Sequence, residues 1–279
     1  MGSGFGQDVW TENRPSRGWL PSIDPRELWL FRDTAYHLGL RDLKLRYKQT
    51  ALGIAWVVLQ PLVAVVLFTF VFGRLADIPS DGIDYAVFAL AGLVGWLYVS
   101  GAVEGAAESL VESRDLVTKA YFPRILAPVA AVLPGLVDLL PSLAILAVFM
   151  AVYGVAPDVA LLTLPLWIAA AVLVALGVGL WLAALNALYR DVRYAVGFGM
   201  QVWLFASPVV FPSSLVEGTE RWVFSLNPMV GVIDGLRWAL IAAPAPPVED
   251  IVSLASGLAI LATGTVYFQR VERRMADRI

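Results

Sequence analysis

Residues 159–189 read VALLTLPLWIAAAVLVALGVGLWLAALNALY, a run without a single charge. An α-helix rises ~1.5 Å per residue, so ~20 such residues cross a hydrocarbon core of ~30 Å. A soluble domain has no use for so long an uncharged stretch, and reading it as a transmembrane helix decides the fold. Five further charge-free apolar runs lie on either side, at 53–73, 85–103, 139–157, 194–216 and 251–269. Each is about 19 residues or longer, enough to span. The sequence therefore predicts an all-α integral membrane protein with six transmembrane helices.

Composition agrees. The chain is 59% hydrophobic and 15% charged, with a mean hydropathy of +0.73, too apolar for an ordinary soluble domain. With no cysteine, a disulfide framework, a thiolate metal site and a Cys nucleophile are excluded.

Charge fixes the orientation. With residues 1–52 in the cytoplasm, eight basic residues lie there. The later inner segments add Arg114, Lys119 and Arg124, then Arg190 and Arg193, then Arg270, Arg273, Arg274 and Arg278. Only Arg74, Arg221 and Arg237 fall outside, among nine of the 23 acids. This is positive-inside topology with both termini cytoplasmic. The net charge of −3 is sorted by side, so it gives no sign of a nucleic-acid partner; the basic excess sits where anionic membrane lipids lie.

The chain divides accordingly. Residues 1–22 are polar, rich in Gly and Pro and without an apolar h-region, so a flexible tail is expected rather than a signal peptide. In 23–52, Asp24 is placed to cap a helix, with Pro25 at its first position and Glu27 as the capping-box acid. Leu28, Phe31, Ala35 and Leu38 recur at helical spacing, an amphipathic helix on the inner surface that Gly39 is expected to end. A basic collar follows, with Arg41, Lys44, Arg46 and Lys48, which either anchors the first span or meets an anionic head or a partner. The six-span membrane body covers 53–269, and 270–279 is a basic cytoplasmic tail.

Within that body, the inner loop 109–125 mixes charge with an aromatic tip: Glu112, Arg114, Asp115, Lys119, Tyr121, Phe122 and Arg124. Exposed Tyr121 and Phe122 suit docking into a protein groove, against the alternative of a helix on the headgroups. Gly101 and Gly105 form a small-xxx-small pair that lets a helix approach. Glu104 and Glu108 lie one turn apart, sharing a wet seam or pairing with an inner Arg. Asp138 is a carboxylate at membrane depth, or near the inner headgroups if its span slides outward. Pro134 and Pro141 predict kinks.

Residues 213–249 hold two apolar segments, 215–226 and 229–243, split by Asn227 and Pro228. Both are too short to span, and Asn227 caps the second while Pro228 starts it. A re-entrant helical hairpin at the outer mouth is expected, with Trp222, Phe224 and Trp238 at headgroup depth, acting as a gate.

No phosphate loop, His/Glu metal spacing or nucleophile elbow occurs, so no catalytic or metal-binding residue is assigned. His37 on the surface helix reads as an ordinary interfacial residue.

The collar from Arg41 to Gly53, followed by Ala55-Trp56 and Gln60-Pro61, resembles the start of the first span in the permeases of polysaccharide-export ABC transporters. Leu116-Val117-Thr118-Lys119 with Tyr121-Phe122-Pro123-Arg124 resembles their coupling helix. Asn186 to Tyr194 and Ser207-Pro208-Val209 resemble their fourth-to-fifth-span region, and Asn227-Pro228-Met229 with Gly235, Arg237 and Trp238 their outer hairpin. A segment 101–110 as acidic as this one departs from the pattern. The resemblance implies a homodimer of six-span subunits in the bacterial plasma membrane, docked on two copies of a separate ATPase subunit that holds ATP and Mg2+. It implies a polyprenyl-pyrophosphate-linked polysaccharide as cargo, such as O-antigen, teichoic acid or galactan. By that resemblance the collar meets the pyrophosphate and the loop 109–125 couples to ATP hydrolysis. Trp56, Phe68, Phe72, Trp203 and Phe205 are the expected tunnel aromatics, and Trp222, Phe224, Asn227, Pro228, Arg237 and Trp238 the outer gate. A type-2 ABC permease for a drug or lipid, or an ion-coupled secondary transporter, are the alternatives; a glycosyltransferase would need acidic loop clusters that are missing.

Overall fold

A computed structural model describes residues 25–48, 54–113, 122–189 and 191–275. The tail 1–22, the Asp24 cap, Arg114, Asp115, Lys119, Tyr121 and Arg190 lie outside the described residues, as do the side chains of Arg46 and Lys48. Among the described residues all regular structure is helical.

Two short pieces lead in, α1 (Pro25–Leu30) and α2 (Arg32–Lys48). The expected stop at Gly39 is corrected: α2 runs through it. A Cβ at this position would lie 3.3 Å from the Ala130 carbonyl oxygen, so the glycine serves close packing rather than termination. The apolar stripe is covered by protein, with Leu38 buried against Phe122, Leu126 and Ala130, and Phe31 and Ala35 partly so.

Next come α3 (Ile54–Phe68), extended by a wider π turn over Thr69–Leu75, and α4 (Tyr85–Glu112). Asp84 caps α4 by accepting the Ala86 N–H at 2.9 Å. Then α5 (Leu126–Val132) meets α6 (Pro134–Tyr153) at Leu133. The expected break at Pro134 is present, because proline has no N–H to continue the ladder. A short 3-10 turn (Val159–Thr163) opens α7 (Leu164–Leu188). The rest is α8 (Val192–Phe205), α9 (Gly218–Phe224), α10 (Pro228–Ile241) and α11 (Asp250–Met275).

Helix α4 is the hub, packing on α3, α5, α6, α7, α8 and α10. In its most apolar window 83% of residues are buried, against 17% for the first span. In α3 only one row, Pro61, Val65 and Phe68, is buried in the subunit; Val63, Val66 and Leu67 stay exposed, as does Phe70 in the π turn. Exposed apolar side chains in such number need lipid or another subunit beside them.

Five helices among the described residues are long and apolar enough to span: Ala55–Leu75, Tyr85–Glu112, Leu126–Tyr153, Val159–Leu188 and Asp250–Glu272. The expected fifth span, 194–216, is different. Its helix α8 has 14 residues, ~21 Å at ~1.5 Å per residue, and the chain continues through turns over 206–212. Prolines 208 and 212 explain the break. The segment still runs from one end of α4 to the other, since Arg193 pairs with Glu108 while Val210 accepts from Tyr85. It is a broken crossing.

Candidate functional site: an inner cavity and a braced outer hairpin

Irregular backbone at membrane depth must find hydrogen-bond partners inside the protein. Here four side chains supply them to the turns after α8. Asn227 Nδ2 donates to the Ala206 carbonyl at 2.9 Å, Arg237 Nη2 to Val209 at 2.7 Å, the Tyr85 hydroxyl to Val210 at 2.6 Å, and Arg221 Nη1 to Ser213 at 2.8 Å. Three of these donors come from the hairpin 213–249: Asn227 and Arg237 fasten it to the end of the broken crossing, while the Arg221 bond to Ser213 closes the hairpin on its own first residue.

The two arginines are held differently. Arg221 sits between two carboxylates, 2.9 Å from Asp234 and 2.7 Å from Asp250, joining α9, α10 and α11. Arg237 is 2% exposed; Nε donates to the Phe88 carbonyl and the guanidinium stacks 3.6 Å from the Phe88 ring centroid. Gly92 makes the space, since a Cβ there would lie 2.7 Å from Nη2.

Asn227 is the hinge of the hairpin. Its Oδ1 caps α10 through the Met229 N–H at 3.0 Å and also accepts the Trp203 indole N–H at 2.8 Å. The Pro228 start and Asn227 cap are as the sequence predicts. At 14 residues α10 is too short to span, consistent with a re-entrant helix.

At the opposite end of α4 lies a cavity of about 990 Å3 between α3, α4, α6 and α8. Glu104, Glu108, Glu112, Asp138 and Asp42 line it, with Arg41, Arg193, Trp56 and Gln60. Both cations are engaged: Arg193 with Glu108 at 2.8 Å, Arg41 with Asp42 at 2.9 Å and with the Ser113 hydroxyl at 3.2 Å. Glu108 thus pairs with an inner Arg, one of the outcomes its spacing allowed. Gly101 and Gly105 line the cavity; a Cβ on Gly101 would meet nothing within 4 Å, whereas one on Gly105 would lie 3.6 Å from the Ala131 carbonyl oxygen of α5.

The flanks of the loop 109–125 are anchored. Near its start, Ser113 meets Arg41 of α2; near its end, the Arg124 N–H donates to the Glu272 carboxylate at 3.2 Å and Nη1 to the Glu272 carbonyl at 3.3 Å. Phe122, expected to be exposed for docking, is instead 7% exposed. The apolar stripe of α2 needs a cover, and Phe122 provides it.

The expected tunnel aromatics scatter. Trp56 and Phe205 are 55% and 57% exposed, Trp56 on the inner cavity. Phe68 is buried in the subunit core, edge-to-face with Phe72 at 5.7 Å, so it presents no open ring. Trp203 is half-buried, edge-to-face with Trp96. At the outer face Trp222 is exposed, Phe224 lies 5.9 Å from Phe211, and Trp238 packs on the core instead of standing free at headgroup depth. In the collar, Lys44 is exposed. Sequence reasoning missed Arg221, Asp234, Asp250 and Tyr85; the signal available was that Arg221 and Arg237 are cations on an otherwise acidic side.

The geometry is that of a helical membrane subunit with a cavity at one end of its central helix and a braced hairpin at the other. Residues 35–241 match the ABC-2 type transporter family, and the chain belongs to it. It is similar to the O-antigen export system permease protein RfbA of Myxococcus xanthus, 31% identical over 255 residues, 88% of this chain and 96% of that one. It is also similar to an O-antigen export system permease protein RfbA of Klebsiella pneumoniae, 25% identical over 240 residues, 85% of this chain and 91% of that one.

Proposed function

We propose that this chain is the membrane half of an ATP-driven exporter of polysaccharide carried on a polyprenyl pyrophosphate. The observation that carries this is the 31% identity to an O-antigen export permease across 96% of that protein's length. The working unit is a homodimer in the bacterial plasma membrane with both termini cytoplasmic. Two copies of a separate ATPase subunit dock at the loop 109–125 and hold the ATP and Mg2+. The barely buried first span and the open inner cavity support a second copy closing that side.

Glu112, Arg114, Asp115, Lys119 and Tyr121 are proposed to receive the motion of the ATPase, and Phe122 and Arg124 to pass it to α2 and α11. Lys44, with Arg46 and Lys48, meets the pyrophosphate; Arg41, tied to Asp42 and Ser113, shapes the loading side. Trp56 and Phe205 offer rings on which sugar CH faces stack. The hairpin with Trp222, Phe224 and Arg237 gates the outer exit.

The test is export from proteoliposomes holding permease, ATPase subunit and polyprenyl-linked glycan. Glycan crossing only when both subunits and ATP are present is expected. Transport that follows an ion gradient without the ATPase would overturn the proposal.

A further inference from the structure

Helix α2 has a side that the subunit leaves open. Its apolar row of Phe31, Ala35, Leu38 and Gly39 packs toward α5, and Arg41 and Asp42 turn into the inner cavity. The third side carries Arg32 and Tyr36, with Trp29 of α1 before them. Residues three and four apart share a helix face, so the three form one ridge. Trp29 is 70% and Tyr36 60% exposed. Arg32 ties the ridge together: Nη1 donates to the Trp29 carbonyl at 3.2 Å, and the guanidinium lies 4.9 Å from the indole ring centroid. Its other neighbour is Asp33 at 3.7 Å, an exposed pair worth about 0–1 kcal/mol, which leaves the cation open to another anion.

Depth decides what covers this ridge. The span Leu126–Tyr153 has 28 residues, ~42 Å at ~1.5 Å per residue, against a hydrocarbon core of ~30 Å. Centred on that core, it overhangs by ~6 Å, about four residues, at each end, so the hydrocarbon edge falls near Ala130. A Cβ on Gly39 would lie 3.3 Å from the Ala130 carbonyl oxygen, so the middle of α2 runs at the boundary between headgroups and acyl chains. The lipid-facing surface is continuous there. Leu133, 3.9 Å from the same Cβ, is partly exposed, and Val137 and Leu140 continue the exposed row along α6.

Trp and Tyr rings favour that boundary, and an Arg stem lies on apolar surface while its head reaches a phosphate. A soluble partner would have to enter the headgroup layer to reach the ridge. We infer that Trp29, Arg32 and Tyr36 seat α1 and α2 in the inner leaflet, with phospholipid as the occupant of this face. The stripe that the sequence aims at lipid is turned into the protein, and the helix meets lipid with a different side. Lipid then holds α2 on one side and Phe122 on another. The inference rests on the proposed orientation only for which leaflet it names.

The chain has no cysteine, so a single introduced one carries a nitroxide label without background. Trp29→Cys, Arg32→Cys and Tyr36→Cys, labelled one at a time, all lie at exposed positions and open no core. The permease is placed in liposomes of phosphatidylethanolamine and phosphatidylglycerol, alone and with the ATPase subunit. Power-saturation EPR then compares collision with oxygen, which concentrates in lipid, and with a water-soluble nickel chelate. All three labels are expected about 5–10 Å into the headgroup and acyl boundary, with or without the ATPase. In Trp29→Ser with Tyr36→Ser, a label at position 32 should collide with nickel severalfold more often. Labels as open to nickel as a free nitroxide would overturn the inference. So would labels shielded from both reagents only when the ATPase is bound, which would make the ridge a protein contact, or an unchanged depth in the double variant. Depth is read without transport: a complex that fails to export leaves this inference standing, whereas labels in water remove it and leave the export reading untouched.

Discussion

Arg237 Nη2 and the Val209 carbonyl oxygen, 28 residues apart in sequence, lie 2.7 Å from each other in the buried outer half of the subunit. A guanidinium here supplies a donor to a carbonyl that the chain, no longer helical between Pro208 and Pro212, leaves without a backbone partner. Its fork also reaches Phe88, so one side chain ties α4, α10 and the broken crossing. Arg237→Met leaves the buried Val209 carbonyl unsatisfied, at about 1–3 kcal/mol, while the Phe88 carbonyl keeps its bond within α4. A marked fall in the thermal unfolding temperature in detergent is expected. Arg237→Lys should recover part of it at most, because an ammonium lacks the planar fork. Full stability in Arg237→Met would show that the contact is idle.

Arg221 makes a sharper case, since it holds two carboxylates at once. Removing one partner of a buried pair costs about 3–5 kcal/mol, because the remaining charge is left uncompensated. Arg221→Met is expected to destabilise more than Asp234→Asn, which still leaves Asp250 paired. A double-mutant cycle on Arg221 and Asp234, read by chemical unfolding, should return a coupling of about 1–3 kcal/mol. Additive effects would refute the bridge.

These two arginines show what the sequence could and could not disclose. Six charge-free runs and a one-sided basic excess were enough for an all-helical membrane subunit and the order of its spans, because hydrocarbon leaves few choices of backbone. The cap at Asn227 and the break at Pro134 were legible for the same local reason. The braces were not. Arg221 and Arg237 looked like ordinary exceptions to the charge pattern, and only their burial reveals them as donors to a broken segment. The run 194–216 looked like a helix because hydropathy is blind to which carbonyls have partners. Phe122 looked free because an amphipathic helix some 90 residues earlier in the chain was not known to lie on it.

Asn227 offers a test in which one substitution separates two roles. Asn227→Asp keeps an oxygen to cap α10 and accept from Trp203, but loses the Nδ2 donor to Ala206 and Ser207. Asn227→Ala loses both roles. Caps alone contribute about 1 kcal/mol and a buried hydrogen bond about as much again. The unfolding temperature should therefore fall in the order wild type, Asp, Ala. Equal stability of Asp and Ala variants would assign no value to the cap.

Glu108 and Arg193 predict the opposite behaviour. Their side chains are 33% and 66% exposed, and pairs of that kind contribute about 0–1 kcal/mol. Glu108→Gln and Arg193→Gln are expected to leave unfolding nearly unchanged, with any effect fading at high salt. A loss comparable to Arg221→Met would mean that the cavity is closed to water at this point.

Phe122 carries the last prediction, because it lies where the loop 109–125 meets the body of the subunit. The ring is buried against Leu38, Leu126 and Ala130, so Phe122→Ala opens a hole under α2, and such truncations cost about 3–5 kcal/mol. The loss falls first on α2, whose remaining stripe of Phe31 and Ala35 is only partly covered. Amide exchange across residues 32–48 should accelerate in Phe122→Ala while α10 keeps its protection. Phe122→Leu, which retains most of the volume, should stay near wild type. If α2 remained protected in Phe122→Ala, its attachment would have to come from Gly39 packing on Ala130 and from Arg41 bonding to Ser113, and the ring would be a passenger.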